Sequence, residues 1–373
     1  MNENPLRKLE SYGQSIWLDY IHRHLIESGG LQRLIEEDGL RGVTSNPTIF
    51  DEAIDGSDAY DDVIRILAYE GKDVKEIYQA LTTEDVGRAA DTFKPSFDRF
   101  HGSDGFVSIE VNPHLAHDIQ GTVEEARQLW KVLARPNVFI KVPATMEGLQ
   151  SIRQLISEGI NINVTLLFGL ARYQMVAEAY IAGLEDRAAK GLPIANVASV
   201  ASFFLSRIDV LVDSMLEEIN VDDALKLRGQ IAVSSARIAY QMYKNIFHDA
   251  RFLKLADRGA RTQRVLWAST GTKNREYSDV KYVEALIGNE TVNTLPMKTL
   301  EAYRDHGNPA PRLEENLEDA YYNLDRLAKL GIDLDIVTRQ LEDEGIQKFN
   351  KPYDSLISNL EKKRDSFCFA KAC

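Results

Sequence analysis

Lys141 stands inside the run NVFIKVPAT, residues 137–145, flanked by Ile140 and Val142 in what reads as a buried strand. An ammonium group in such surroundings is costly unless it is paired, neutral or chemically engaged. Burial disfavours the charged form, so the sequence predicts a pKa drawn from about 10.4 towards neutrality. A free amine of that kind can add to a carbonyl and form a Schiff base. The iminium is an electron sink: it permits cleavage of a nearby carbon–carbon bond by holding the resulting carbanion as an enamine. A purely structural reading stands beside it, in which Lys141 is a buried ion pair with Asp19 or Glu110. Such a pair adds little net stability over apolar packing.

The other strand-like runs also carry polar residues late in their length. These are Asp19; Thr44 and Asn46; Ser108 and Glu110; Asn163 and Thr165; Ser199 and Ser202; and Ser269. Strand side chains alternate faces, so residues two apart share one. Singly, a buried asparagine or threonine is more often satisfied structure than catalyst. Together they describe a polar floor with one cation and two carboxylates, which could divide the proton transfers of Schiff-base chemistry.

The elements that must position these residues follow one rhythm. Strand-like segments at 15–21, 41–46, 105–111, 137–145, 162–168, 195–204, 264–270 and 290–296 are each followed by a helical stretch. In the helix after the third, Val123, Ala126, Leu129, Trp130 and Leu133 keep helical spacing. Strands alternating with helices predict right-handed βαβ units and a parallel sheet. Eight such units suit a (β/α)8 TIM barrel, whose working residues sit at the carboxyl ends of the strands. An open doubly wound sheet is the alternative, but no GxGxxG or GxxxxGK[ST] loop follows a strand. The expectation is a single domain, 1–373, with helical insertions near 58–100 and 208–260 and carboxyl-terminal helices near 313–363.

Composition narrows the function. A formal net charge of −13 over 373 residues argues against nucleic acid or an anionic membrane as a general partner. No apolar run approaches the roughly 20 residues that span a bilayer, and the first residues lack the apolar core of a signal peptide, so a soluble cytoplasmic protein is expected. Cys368 and Cys373, in the final CFAKAC, form neither a disulfide framework nor a zinc quartet and read as a loose tail. The pairs His22/His24 and His114/His117 lack sequence partners for a metal and read as surface or capping residues.

Four segments, GVTSNPTIF, FIKVPAT, INVTLLFG and WASTGTKN, closely resemble signature segments of the transaldolases. The similarity runs from SIWLDYIHR to TVNTLP, in order, over most of the chain. It implies a cofactor-free, metal-free (β/α)8 enzyme of the pentose phosphate pathway that transfers a dihydroxyacetone unit between sugar phosphates. By the same resemblance Lys141 is the Schiff-base lysine, Asp19 deprotonates the ketose C4 hydroxyl, and Glu110 with Thr165 handles a water for proton transfer. Asn46 and Asn163 match asparagines that bind the hydroxyls of the retained unit, Ser202 a further hydroxyl-binding serine, and Phe204 an aromatic wall. Arg207 and Ser269 match phosphate-binding residues. Many transaldolases carry a second arginine after the seventh strand; here Lys273 is the nearest cation, lacking arginine's planar fork, with a solvated loop residue as its alternative role. Two other functions remain open on the residues. One is an aldolase releasing free dihydroxyacetone, although some close aldolase relatives carry glutamine where this chain has Glu110. The other is a non-catalytic sugar-phosphate-binding barrel, which would be expected to lose Lys141, Asp19 or Glu110. The residues fix neither oligomeric state nor the preferred sugar phosphates.

Overall fold

A computed structural model describes residues 4–371 of the chain. Eight strands close into a barrel in sequence order: β1 (Gln14–Asp19), β2 (Gly42–Thr44), β3 (Phe106–Glu110), β4 (Val138–Pro143), β5 (Ile162–Leu167), β6 (Ser199–Phe204), β7 (Arg264–Ala268) and β8 (Thr291–Leu295). Every neighbouring pair is parallel, and β8 returns to β1. The (β/α)8 barrel expected from the alternation is the architecture observed. β4, β5 and β6 are buried along their whole length, as a parallel sheet covered on both faces requires.

The strands are shorter than their apolar runs. Residues 195–198 precede β6 as a turn, because Val197 N–H bonds Ile194 and Ala198 N–H is taken by the Asn161 side chain. β2 ends at Thr44 because Ser45 donates to the Ser108 carbonyl and Asn46 becomes the N-cap of the helix Pro47–Asp55.

The insertion at 58–100 is two helices, Asp61–Tyr69 and Val74–Arg99, after a single turn at Asp58–Tyr60. The break falls at Gly71 (φ 79°), after which Asp73 and Glu76 form a reciprocal capping box. Residues 206–256 form the helices Ser206–Ile219, Asp222–Leu225, Ile231–Phe247 and Ala250–Ala256. At the carboxyl end come Leu317–Lys329 and the long Leu334–Lys371, so Cys368 lies in a helix and not in a loose tail. Its thiol is exposed, 3.9 Å from the Ala68 carbonyl; Cys373 lies outside the described residues. The last helix packs on Pro47–Asp55, Asp61–Tyr69 and Val74–Arg99 and reaches β5. Among the described residues no helix is long and apolar enough to cross a membrane.

Two layers fill the barrel below the strand ends. The indole of Trp17 stacks on Phe139, which stacks on Phe106, with centroids 6.0 and 4.3 Å apart. Gly42 makes room for this plug: a Cβ there would stand 2.5 Å from the indole and 2.8 Å from the Phe106 carbonyl. Nearer the amino-terminal end, buried Asp104 accepts from Ser15 (2.7 Å), Arg41 (3.2 Å) and Arg264 (3.0 Å). That end of the barrel is closed by charges that satisfy one another.

Candidate active site

Register brings the chemistry together. Glu110 on β3, Lys141 on β4 and Asn163 on β5 are successive lateral neighbours, and Asp19 on β1 pairs with Thr44 on β2. All point above the aromatic plug, at the carboxyl ends of the strands. The Lys141 side chain is about 5% exposed; its Nζ donates to the Ser45 carbonyl at 2.8 Å and lies 3.5 Å from Glu110 Oε2.

The two carboxylates differ in support. Asp19 accepts from the Thr44 hydroxyl at 2.7 Å, and that hydroxyl also meets Thr294 at 2.8 Å. Burial raises the Asp19 pKa, opposed by Lys141, the Thr44 hydrogen bond, Arg207 and Lys273. Burial pushes Glu110 up to about 7, although Lys141 works against it. A carboxyl ionising near neutrality is suited to giving and taking protons at physiological pH.

A cavity of ≈ 300 Å³ opens above these groups. Of the residues expected from the sequence, Asp19, Asn46, Lys141, Thr165, Ser202, Phe204, Arg207, Ser269 and Lys273 line it. Glu110 and Asn163 do not; they lie behind Lys141 and Ser202. The Asn163 amide donates to Ser108 (3.0 Å) and accepts from Ser202 (2.6 Å), which fixes its orientation. The Asn46 carbonyl oxygen is held by its own helix cap at Ile49 N–H, leaving its NH2 group for a ligand. Thr165 Oγ1 is buried and makes no hydrogen bond to any described residue.

The helix Ser206–Ile219 begins directly after β6 and carries Arg207 to the cavity wall. Burial lowers its pKa, with Asp19, Glu110 and Glu344 opposing. Arg207 Nη1 is buried and makes no hydrogen bond to a described residue, the condition of a cation kept for an anion that arrives from outside. Ser269, in the left-handed region (φ 55°), stands 2.9 Å from the Ser206 hydroxyl. Lys273 is exposed at the rim, and it also borders a second hollow lined by Asp209, Asp213, Glu217 and Tyr277.

Among the lining residues that were not anticipated are Thr294 on β8 and Phe349 on the long terminal helix. Thr294 carried a signal, a hydroxyl late in the eighth strand run. Phe349 carried none, being one apolar residue in an amphipathic helix. The histidines lie elsewhere: His22 caps the helix Arg23–Glu27, while His114 and His117 are exposed and face Asp354 (2.7 Å) and Glu147 (3.1 Å). Among the described residues no cluster of three or more His, Cys, Asp or Glu could hold a metal ion.

A closed barrel of eight parallel strands, with a buried lysine between a carboxyl and a cavity at the strands' carboxyl ends, places the chain in the class of (β/α)8 barrel proteins. Comparison with known proteins narrows the class. Residues 16–360 match the family Transaldolase/Fructose-6-phosphate aldolase. A transaldolase of Thiobacillus denitrificans is 48% identical over 357 residues, covering 96% of this chain and 99% of that protein. One from Trichodesmium erythraeum is 46% identical over 373 residues (97% and 98%), and one from Mycolicibacterium smegmatis 45% over 368 (98% and 99%). The chain belongs to the transaldolase/fructose-6-phosphate aldolase family.

Proposed function

We propose that this protein is a transaldolase of the pentose phosphate pathway, acting in the cytoplasm without a cofactor, the whole chain forming one domain. The reading is carried by one observation: Lys141 is enclosed, with its Nζ 2.8 Å from the Ser45 carbonyl and 3.5 Å from Glu110, facing a cavity that also holds an unbridged arginine.

The Lys141 amine attacks the C2 carbonyl of a ketose phosphate such as sedoheptulose 7-phosphate or fructose 6-phosphate. Glu110, with a pKa of about 7, exchanges the protons needed to expel water and form the iminium, using Thr165 to hold that water. Asp19 takes the C4 hydroxyl proton; the C3–C4 bond breaks, the aldose phosphate leaves, and the electron pair rests in the enamine on Lys141. The enamine then adds to the aldehyde of glyceraldehyde 3-phosphate or erythrose 4-phosphate, and hydrolysis releases the new ketose. Asn46, Asn163 and Ser202 hold the hydroxyls of the retained unit, Phe204 walls it, and Arg207, Ser269 and Lys273 receive the phosphate.

Borohydride reduction with fructose 6-phosphate tests the first step. The expected outcome is a stable mass increase on the peptide containing Lys141; labelling of another peptide, or none, overturns the assignment. Product analysis with and without an acceptor aldose separates transfer from simple aldol cleavage: transfer predicts little free dihydroxyacetone while an acceptor is present.

A further inference from the structure

Phe349 sits near the middle of the helix Leu334–Lys371, far in sequence from every strand, yet it lines the active cavity and is buried. Its ring centroid is 6.0 Å from Lys141 Nζ and 5.7 Å from the Arg207 guanidinium carbon. Phe204, at the end of β6, places its ring 5.6 Å from the same carbon. The guanidinium is therefore flanked by two phenyl rings at cation–π distance while its buried Nη1 has no hydrogen-bond partner among the described residues. Aromatic faces hold a guanidinium without occupying its N–H groups, so they can fix the side chain and still leave its fork free.

The backbone lets the terminal helix approach this closely. β5 shifts register between Val164 and Leu167, where Leu166 adopts φ 54°. Such an irregularity re-aims side chains beside a site. Facing it on the helix is Gly345, where a Cβ would meet Leu166 at 2.9 Å and stand 3.6 Å from Arg207 Nη1. The next residue back, Glu344, contributes negative charge towards Arg207.

We propose that Phe349 is a positioning residue for phosphate recognition: with Phe204 it sets the place of Arg207, so the terminal helix governs affinity for the phosphorylated end of the sugar. This rests on the transaldolase reading given above. The role differs from that of Lys141, Asp19 and Glu110 because it concerns the phosphate and not the carbonyl.

The test compares Phe349→Leu, which keeps apolar bulk but removes the ring face, with Phe349→Tyr, which keeps the face. The leucine variant should raise KM for fructose 6-phosphate roughly tenfold, with kcat changed less than about threefold, as the loss of a partly desolvated cation–π contact implies. Competitive inhibition by inorganic phosphate should weaken by the same factor. Borohydride trapping with unphosphorylated dihydroxyacetone should stay at the wild-type level, and the tyrosine variant should recover KM to within about threefold. Should the leucine variant not fold, Phe349→Met carries the same measurements. An unchanged KM and phosphate inhibition overturn the proposal, as does a parallel loss of dihydroxyacetone trapping, which would make Phe349 a general cover of the site. Absence of trapping in the unaltered enzyme would instead fault the Schiff-base reading, independently of Phe349.

Discussion

The two ends of the barrel use buried charge in opposite ways. At the amino-terminal end Asp104 is matched by Arg41, Arg264 and the Ser15 hydroxyl, leaving its carboxylate satisfied. At the carboxyl-terminal end Lys141 and Glu110 stand at 3.5 Å, Thr165 Oγ1 and Arg207 Nη1 have no hydrogen-bond partner among the described residues, and Asp19 and Glu110 are pushed upward by burial. The same residue types serve both ends. What differs is completeness of pairing: a closed network holds the fold, and an incomplete one leaves donors and protons available for a ligand.

That contrast can be broken by exchanging the effects. Lys141→Met should lower turnover roughly 10⁴-fold or more, since the proposed function gives this residue the covalent step. Its urea midpoint should be unchanged or raised, because an apolar chain replaces a buried cation; a large loss of stability would show that Lys141 is structural. Asp104→Ala should do the reverse. It leaves the partly buried Arg264 without its carboxylate, Arg41 keeping Glu10, and should cost about 3 kcal/mol in denaturant unfolding. The folded fraction should retain kcat within about threefold, as the working residues of such a barrel sit at its opposite, carboxyl-terminal end.

Glu110→Gln gives the finest test. With a folded pKa of about 7 against an ordinary value of 4.5, the native state binds more protons than the unfolded chain between those values. Stability therefore falls as pH rises from about 4.5 to 7, and the penalty is fully present above 7. The glutamine variant should be the more stable protein above pH 7, by roughly 1–3 kcal/mol, with the gain vanishing near pH 4.5. It should also lose the ionisation near 7 from the pH profile of iminium formation.

Much of this was legible in the sequence because it violates local expectation. Lys141 between Ile140 and Val142, or Glu110 closing an apolar run, is anomalous in a buried strand, and two-residue alternation then assigns a common face. The eight-fold rhythm of strand and helix pointed to a closed barrel ahead of an open doubly wound sheet, and closure is what the structure shows. Less visible were features that depend on partners distant in the chain. Asp104 lies between strand runs and looks like a loop acid until Arg264 and Ser15 meet it. Phe349 looks like any core residue of an amphipathic helix, because its neighbours Lys141 and Arg207 come from other elements. Strand limits were overestimated because strand-like sequence extends beyond the ladders, where the Asn46 and Asn161 side chains accept backbone N–H groups.

The left-handed backbone at Ser269 and Leu166 carries an evolutionary consequence. Non-glycine residues in that region hold conformational strain of order 1 kcal/mol or more, which glycine would relieve. Selection for heat resistance alone would thus favour glycine at Ser269 but not at buried Leu166, where the lost packing of about 2–5 kcal/mol outweighs the strain. It would discard the hydroxyl beside Ser206, and a hardier catalyst would emerge with a poorer grip on its substrate.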